Sequence, residues 1–246
     1  MIMHLKVYCQ NIENTWYHGK SSDLVVYHGL TDSFVNKLPA FYEYLSDHEK
    51  SRAESFRQEC DYRCFVSVHA LLRIELSKLL GTKAKSIRIG QSEYGKPFIS
   101  DMDLPFSLSR TKNLFAFVVG RSNQFLGIDI EQIKPDIDFI SISRNYFSIK
   151  EQQLILSFNN IADQKRTFFE IWTRKEALLK AIGVGINTEL SKVQVLEGGN
   201  MLDIEGVQTN SHSFKIATTM KKGALISIAS SFDFVPEFKN LSFILS

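Results

Sequence analysis

Two helical runs, each stopped by glycine and each followed by strand-like sequence, restrict the folds open to this chain more than any other feature. From Leu45 to Leu80 apolar residues return at threes and fours, through "CFVSVHALLRIELSKLLG", and the run stops at Gly81. Ser46 is placed to cap its start, and the stretch divides into two helices. Residues 86 to 130 are strand-like: "SIRIG", the turn "EYGKPF", then "FAFVVG" and "FLGIDIE". Helix returns from Ser148 to Leu156 and from Asp163 to Ile182, closing at Gly183 and Gly185; "KVQVLE", "SFKIATTM" and "ALISIASSF" then read as strands. Helices and strands are segregated rather than strictly alternating, which predicts an α+β fold. "HALLRIELSKLLG" and "EALLKAIGVG" both set Ala-Leu-Leu and a basic residue late in a helix ahead of strands. Two related halves meeting near residue 125 would explain that echo.

The 246 residues allow one large domain or two small ones, and 44% hydrophobic against 23% charged residues gives a globular chain. A formal net charge of +2 argues against bulk binding to nucleic acid or an anionic membrane, so any anion site is local. Three cysteines, Cys9, Cys60 and Cys64, are odd in number and lack histidines at zinc spacing, which favours a reducing compartment. "MIMHLKVYCQ" has no signal-peptide core, and no run approaches the roughly 18 apolar residues of a membrane helix. The expectation is a cytosolic protein.

Within "GIDIE" the period of two sets Ile128 and Ile130 on one face and Asp129 and Glu131 on the other. Cα atoms two apart lie about 6 to 7 Å from each other, so both carboxylates can converge on one cation, or simply face solvent. Oxygen ligands suit a hard ion, and magnesium typically uses one or two carboxylates, waters and a substrate phosphate. Downstream, in "WTRKEALLK", Trp172, Glu176 and Lys180 are spaced by four and share a helix face, with Lys175 beside them. By itself that is an ordinary Glu-to-Lys helix pair; with "GIDIE" it points to a magnesium and pyrophosphate site.

The ordered set "HEKSRAESF", "EYGKPF", "FSLSRTKN", "GIDIE", "NYFS" and "WTRKEALLKAIGVGI", over residues 45 to 190, resembles the 4'-phosphopantetheinyl transferases, specifically the large pseudodimeric Sfp type. That resemblance implies a pseudodimer of two similar α+β halves, 1–125 and 126–246. It implies transfer of the phosphopantetheine arm of coenzyme A to a serine of an apo acyl or peptidyl carrier protein, releasing adenosine 3',5'-bisphosphate. Asp129, Glu131 and Glu176 would hold magnesium, Lys180 and Lys175 would meet the pyrophosphate, and Glu176 would take the serine proton. Tyr94, Gly95, Lys96 and Pro97 would lie along the adenine nucleotide, and Arg52 would reach the 3'-phosphate.

"FSLSRTKN" departs from the family's pattern: Ser107 stands where asparagine is usual and Arg110 where histidine is usual, while Ser109 is kept. Arginine binds phosphate bidentately and stays charged, or it pairs with a carboxylate and only stabilises the loop. Residues 133 to 147, "IKPDIDFISISRNYF", would receive the carrier through apolar side chains, with Lys134 and Arg144 favouring an acidic partner; core packing is the alternative for these apolar groups. His69, on an apolar helix, reads as a hydrogen-bonded core residue. No HExxH, GxSxG, Walker or kinase signature is present. Two rival readings are a coenzyme A or nucleotide-binding protein without transferase activity and another magnesium-dependent phosphotransferase. Two halves in one chain would make a monomer sufficient.

Overall fold

The computed structural model describes residues 2–11, 24–120, 125–184, 190–205 and 213–244. Strands β1 (Ile2–Asn11) and β2 (Leu24–Leu30) precede helices α1 (Leu38–Tyr42), α2 (Asp47–Glu54) and α3 (Glu59–Leu80). Strands β3 (Ile89–Gln91), β4 (Pro97–Ile99), β5 (Phe106–Arg110), β6 (Leu114–Val119) and β7 (Leu126–Gln132) follow, and then α4 (Phe139–Tyr146), α5 (Ile149–Leu156) and α6 (Ile161–Ile182). The chain continues through β8 (Gly198–Glu205), β9 (Ser213–Lys221), β10 (Ala224–Ser230), β11 (Pro236–Asn240) and α7 (Leu241–Ile244).

The helical run from Leu45 is two helices, as its pattern predicts. Ser46 caps α2 in a reciprocal capping box: its hydroxyl accepts from the Glu49 amide and the Glu49 carboxylate accepts from the Ser46 amide. Ser148 and Glu151 repeat that device at α5. Helix α3 stops at Gly81 and α6 at Gly183, with φ of 61° and 84°, the left-handed region where glycine carries no Cβ penalty. Gly185 lies outside the described residues. Helix α6 starts at Ile161, capped by Asn160, two residues before the expected start.

Two sheets stack back to back. The four-stranded sheet has the order β11-β2-β6-β5 and the five-stranded sheet β7-β10-β9-β1-β8, with β3 and β4 as a separate hairpin. Alternation sorts the side chains of each central strand. On β6, Leu114, Ala116 and Val118 face the other sheet, while Phe115, Phe117 and Val119 pack with α3 residues such as Leu72 and Leu76. On β10, Ile226 and Ile228 fill the inter-sheet layer, and Leu225 and Ala229 join Phe168, Leu178 and Leu179 of α6. Both faces of each central strand are therefore buried, and the layers run helix, sheet, sheet, helix.

Neither sheet is confined to one side of residue 125. β1 pairs antiparallel with β8 and parallel with β9, and β11 pairs parallel with β2. The expected dividing point adjoins residues 121–124, which lie outside the described residues. "KVQVLE" corrects one expectation: Val193 and Val195 are fully buried, but only Glu197 makes a bridge and the regular strand begins at Gly198. Its alternation reflected burial without strand pairing.

Candidate active site

Gly127 decides how β7 meets α6. A Cβ at this position would lie 2.0 Å from the Ala177 carbonyl oxygen and 2.4 Å from the Ala181 amide nitrogen. Only glycine lets helix backbone rest on strand backbone here. The odd-numbered face of β7 then meets the α6 face bearing Glu176 and Lys180. Asp129 is 4% exposed; its Oδ1 accepts from Lys180 Nζ at 2.7 Å and from Ser109 Oγ at 2.8 Å. Asp129 Oδ2 is buried without a hydrogen-bond partner.

Three carboxylates share this region. Glu176 is pushed up to about 7 by burial, then by the Asp129 charge, with Lys180 pulling the other way and Glu131 adding to the rise. Glu131 is also raised, by burial and then by Asp129, against the pull of Lys134 at 3.8 Å and of Lys180. Partly buried like charges with one orphaned oxygen call for a cation. Among the described residues, no group of three acidic, histidine or cysteine side chains is set to enclose a metal ion alone. The donor set, hard oxygens beside a lysine, suits a magnesium ion that takes part of its coordination from water and phosphate.

A cavity of about 1020 Å³ opens beside this cluster. Glu176 and Lys180 of α6, Tyr94 to Pro97 of the β3–β4 turn, Arg110 of β5 and Arg52 of α2 all line it. These expected binding residues, scattered over more than 120 positions of sequence, therefore border one cavity. Ser109 and Asp129 connect to that lining through Lys180. Lys96 donates to the Ala181 carbonyl at 2.8 Å, tying the turn to the end of α6, and burial lowers its ammonium to about 8. Gly95 has φ of 78°, so the turn needs glycine there.

Lys175 goes elsewhere. It is 1% exposed, pairs with the fully buried Glu151 at 2.8 Å, and donates to the Leu190 and Val193 carbonyls. Its place beside Glu176 in sequence turns it about 100° around the helix, toward α5 and the segment after α6. A pyrophosphate contact from Lys175 is thus not what the structure arranges. Lys175→Met is expected to cost about 3–5 kcal/mol by leaving Glu151 buried and uncompensated, seen as a fall in melting temperature, with Lys175→Met/Glu151→Leu recovering part of it. Full retention of the melting temperature by the single variant would contradict this.

The same cavity is lined by residues whose role the sequence left unread. Glu49 accepts from Arg73 at 2.6 Å and holds His69 Nδ1 at 3.0 Å. Burial would raise the Glu49 carboxyl, but His69, Arg73 and the Ser46 amide bring it down to about 2. His69, expected as a core residue, is instead in the cavity wall, stacked on Phe65 at 3.9 Å. The spacing Ser46-x-x-Glu49 carries a signal for Glu49 that reading Ser46 alone as a cap does not use. Around α4, Phe139 and Phe147 are core, and Ile137, Ile140 and Ile142 pack against it. The exposed apolar side chains nearby are Tyr146 and Ile149, with Lys134 and Arg144 also exposed.

The description "4'-phosphopantetheinyl transferase superfamily" matches residues 125–225. HetI, a 4'-phosphopantetheinyl transferase of Nostoc sp., is 34% identical over 155 residues, which are 61% of this chain and 64% of the relative. A phosphopantetheinyl transferase of Thraustochytrium sp. is 29% identical over 190 residues, 70% of this chain and 66% of the relative. The 4'-phosphopantetheinyl transferase Sfp of Bacillus subtilis is 27% identical over 156 residues, 63% and 67% of the two chains. This chain spans a little under two thirds of the Nostoc and Thraustochytrium proteins.

Proposed function

We propose that this chain, which is similar over residues 125–225 to the 4'-phosphopantetheinyl transferase superfamily, transfers 4'-phosphopantetheine from coenzyme A to a serine hydroxyl of an apo acyl or peptidyl carrier protein. The observation that carries this reading is one cavity lined by Glu176, Lys180, Arg52 and Arg110, with Asp129, one oxygen orphaned, bonded to Lys180 behind it. Coenzyme A carries two anionic groups, an internal pyrophosphate and a 3'-phosphate, and the cavity lining supplies Lys180, Arg52 and Arg110 as cations.

The serine oxygen forms a bond to the phosphorus on the pantetheine side, the bridging P–O bond breaks, and adenosine 3',5'-bisphosphate leaves. Positioning and charge neutralisation supply most of the catalysis in such a displacement. A magnesium ion, with Asp129, Glu131 and Glu176 as its proposed ligands, would neutralise charge on the pyrophosphate. Lys180 binds the pyrophosphate and is kept in place by Asp129 and Ser109. Glu176 takes the serine proton, directly or through a water. Tyr94, Gly95, Lys96 and Pro97 border the adenine nucleotide, and Arg52 with Arg110 meets the 3'-phosphate. The carrier docks at the α4–α5 side, where Lys134 and Arg144 suit an acidic helix. Among the described residues no helix is long and apolar enough to cross a membrane, and the proposed setting is the cytoplasm.

Intact-mass spectrometry of an apo carrier protein incubated with this protein, coenzyme A and magnesium tests the reading. The expected gain is about 340 Da, one phosphopantetheine arm on serine, and it should vanish with chelator. No gain on any of several carrier classes would leave a coenzyme A or nucleotide-binding protein in its place.

We also read the chain as a pseudodimer with halves 1–125 and 126–246 that exchange strands. Several parallels support this. α3 and α6 each have 22 residues and end at a left-handed glycine. Eight residues before that glycine each carries a buried cation, Arg73 or Lys175, bound to a capping-box glutamate, Glu49 or Glu151. Each cation also donates to two carbonyls of the segment after its helix, Ala84 and Ile87 or Leu190 and Val193. Counted this way, Arg73 corresponds to Lys175 and not to Lys180, so the Ala-Leu-Leu echo is out of register with the repeat.

A further inference from the structure

We propose that Phe56 is a positioning residue that holds Arg52 and Arg110 together as one binding pair for a phosphate monoester dianion. This rests on the coenzyme A reading above and concerns how that ligand's terminal phosphate is told apart from a bare hydroxyl.

Both guanidinium groups lie over the same ring: Arg52 Cζ is 5.4 Å and Arg110 Cζ 5.6 Å from the Phe56 centroid. Among the described residues neither arginine forms a salt bridge with a carboxylate. Glu49, three residues before Arg52 on α2, is committed to Arg73 and His69. Arg110 has the Cys64 thiol as a side-chain partner, and burial raises that thiol and favours its neutral form. Two cations that share one ring and line one cavity repel and would swing toward water; the electron-rich ring is what the structure offers to hold them. A ligand carrying two negative charges and three acceptor oxygens completes the arrangement, and a neutral hydroxyl does not.

The ring is itself fixed. Phe56 packs on Phe65 at 5.3 Å, Phe65 stacks on His69 at 3.9 Å, and His69 is held by Glu49, which the fully buried Arg73 anchors to the carbonyls after α3. Phe56, Arg52, Arg110 and His69 all line the cavity. The pair is therefore mounted on an aromatic rail running back into the core, so less order has to be imposed when the ligand arrives.

Isothermal titration of the metal-free protein with coenzyme A and with 3'-dephospho-coenzyme A tests this without relying on turnover. The parent is expected to prefer coenzyme A. Phe56→Leu keeps the apolar bulk and removes the ring face; it should shrink that preference by about tenfold, the combined effect of losing two half-exposed cation–π contacts, and leave the dephospho affinity within about twofold. Phe56→Tyr should retain the preference. Phe56→Met is the second variant should leucine prevent folding, which thermal melting would reveal. An unchanged preference in folded Leu or Met protein overturns the assignment of Phe56 and leaves the coenzyme A reading intact. A parent that binds both ligands equally overturns the arginine pair as a phosphate site and the role of Phe56 with it, and a parent that binds neither overturns the coenzyme A reading first.

Discussion

Asp129→Asn and Glu176→Gln, made singly, are expected to lower carrier modification by about a thousandfold or more while the protein stays folded. The amides keep the shape of each side chain and remove charge from the cluster that Lys180 only partly balances. Glu176 gives this a second readout. Its folded-state carboxyl is raised to about 7 by burial and by Asp129, so the ionised form is disfavoured by folding. Stability contributed by the neutral acid is present at low pH and declines as pH rises from the ordinary carboxylate range through about 7. Glu176→Gln lacks that decline. In chelator it should melt no lower than the parent, and higher above neutral pH. Carrier modification at near-parent rates by either folded variant would place the chemistry somewhere other than this cluster.

Replacing Gly127 with alanine should have the opposite profile, a loss of stability that brings activity down with it. The added methyl would sit 2.0 Å from one backbone atom of α6 and 2.4 Å from another, and neither can rotate away. Overpacking of side chains typically costs about 1–3 kcal/mol, and a clash with helix backbone belongs at or above the top of that range. For a chain of this size about 3 kcal/mol lowers the melting temperature by about 6–12 °C. Gly127→Val should give no folded protein. An alanine variant melting with the parent would mean that α6 shifts freely on β7, and that Asp129 and Lys180 do not depend on this contact.

The contrast between these variants shows which parts of the molecule were legible in sequence. Helix ends were, because Ser46, Gly81 and Gly183 act locally through caps and backbone conformation. The convergence of Asp129 with Lys180 was foreshadowed, because strand and helix periods each fix a face. The partners of Lys175 and Glu49 were not. A side chain's neighbour in sequence says little about which neighbouring layer it points into, and the carbonyls that receive Lys175 follow α6 in the chain. Strands β1, β2 and β11 went unread as well, since their pairing depends on partners far along the chain. "KVQVLE" shows the limit from the other side: its valines are buried as alternation predicts, yet its backbone joins no regular ladder.

The pairing of β1 with β8 and β9 also bears on how the molecule forms in time. Val7 of β1 pairs with Phe214 of β9, so about two hundred residues must be made before that ladder can close, roughly 10–40 s at ordinary synthesis rates. The sheet order fixes a wait: β1 emerges early, and its two neighbours in the sheet, β8 and β9, both arrive late. For that interval the edges of β1 stand open to any other strand, a nascent neighbour on the same message included. Yield of this protein should therefore depend on chaperone supply and on translation speed between β7 and β9 more than its final stability would suggest.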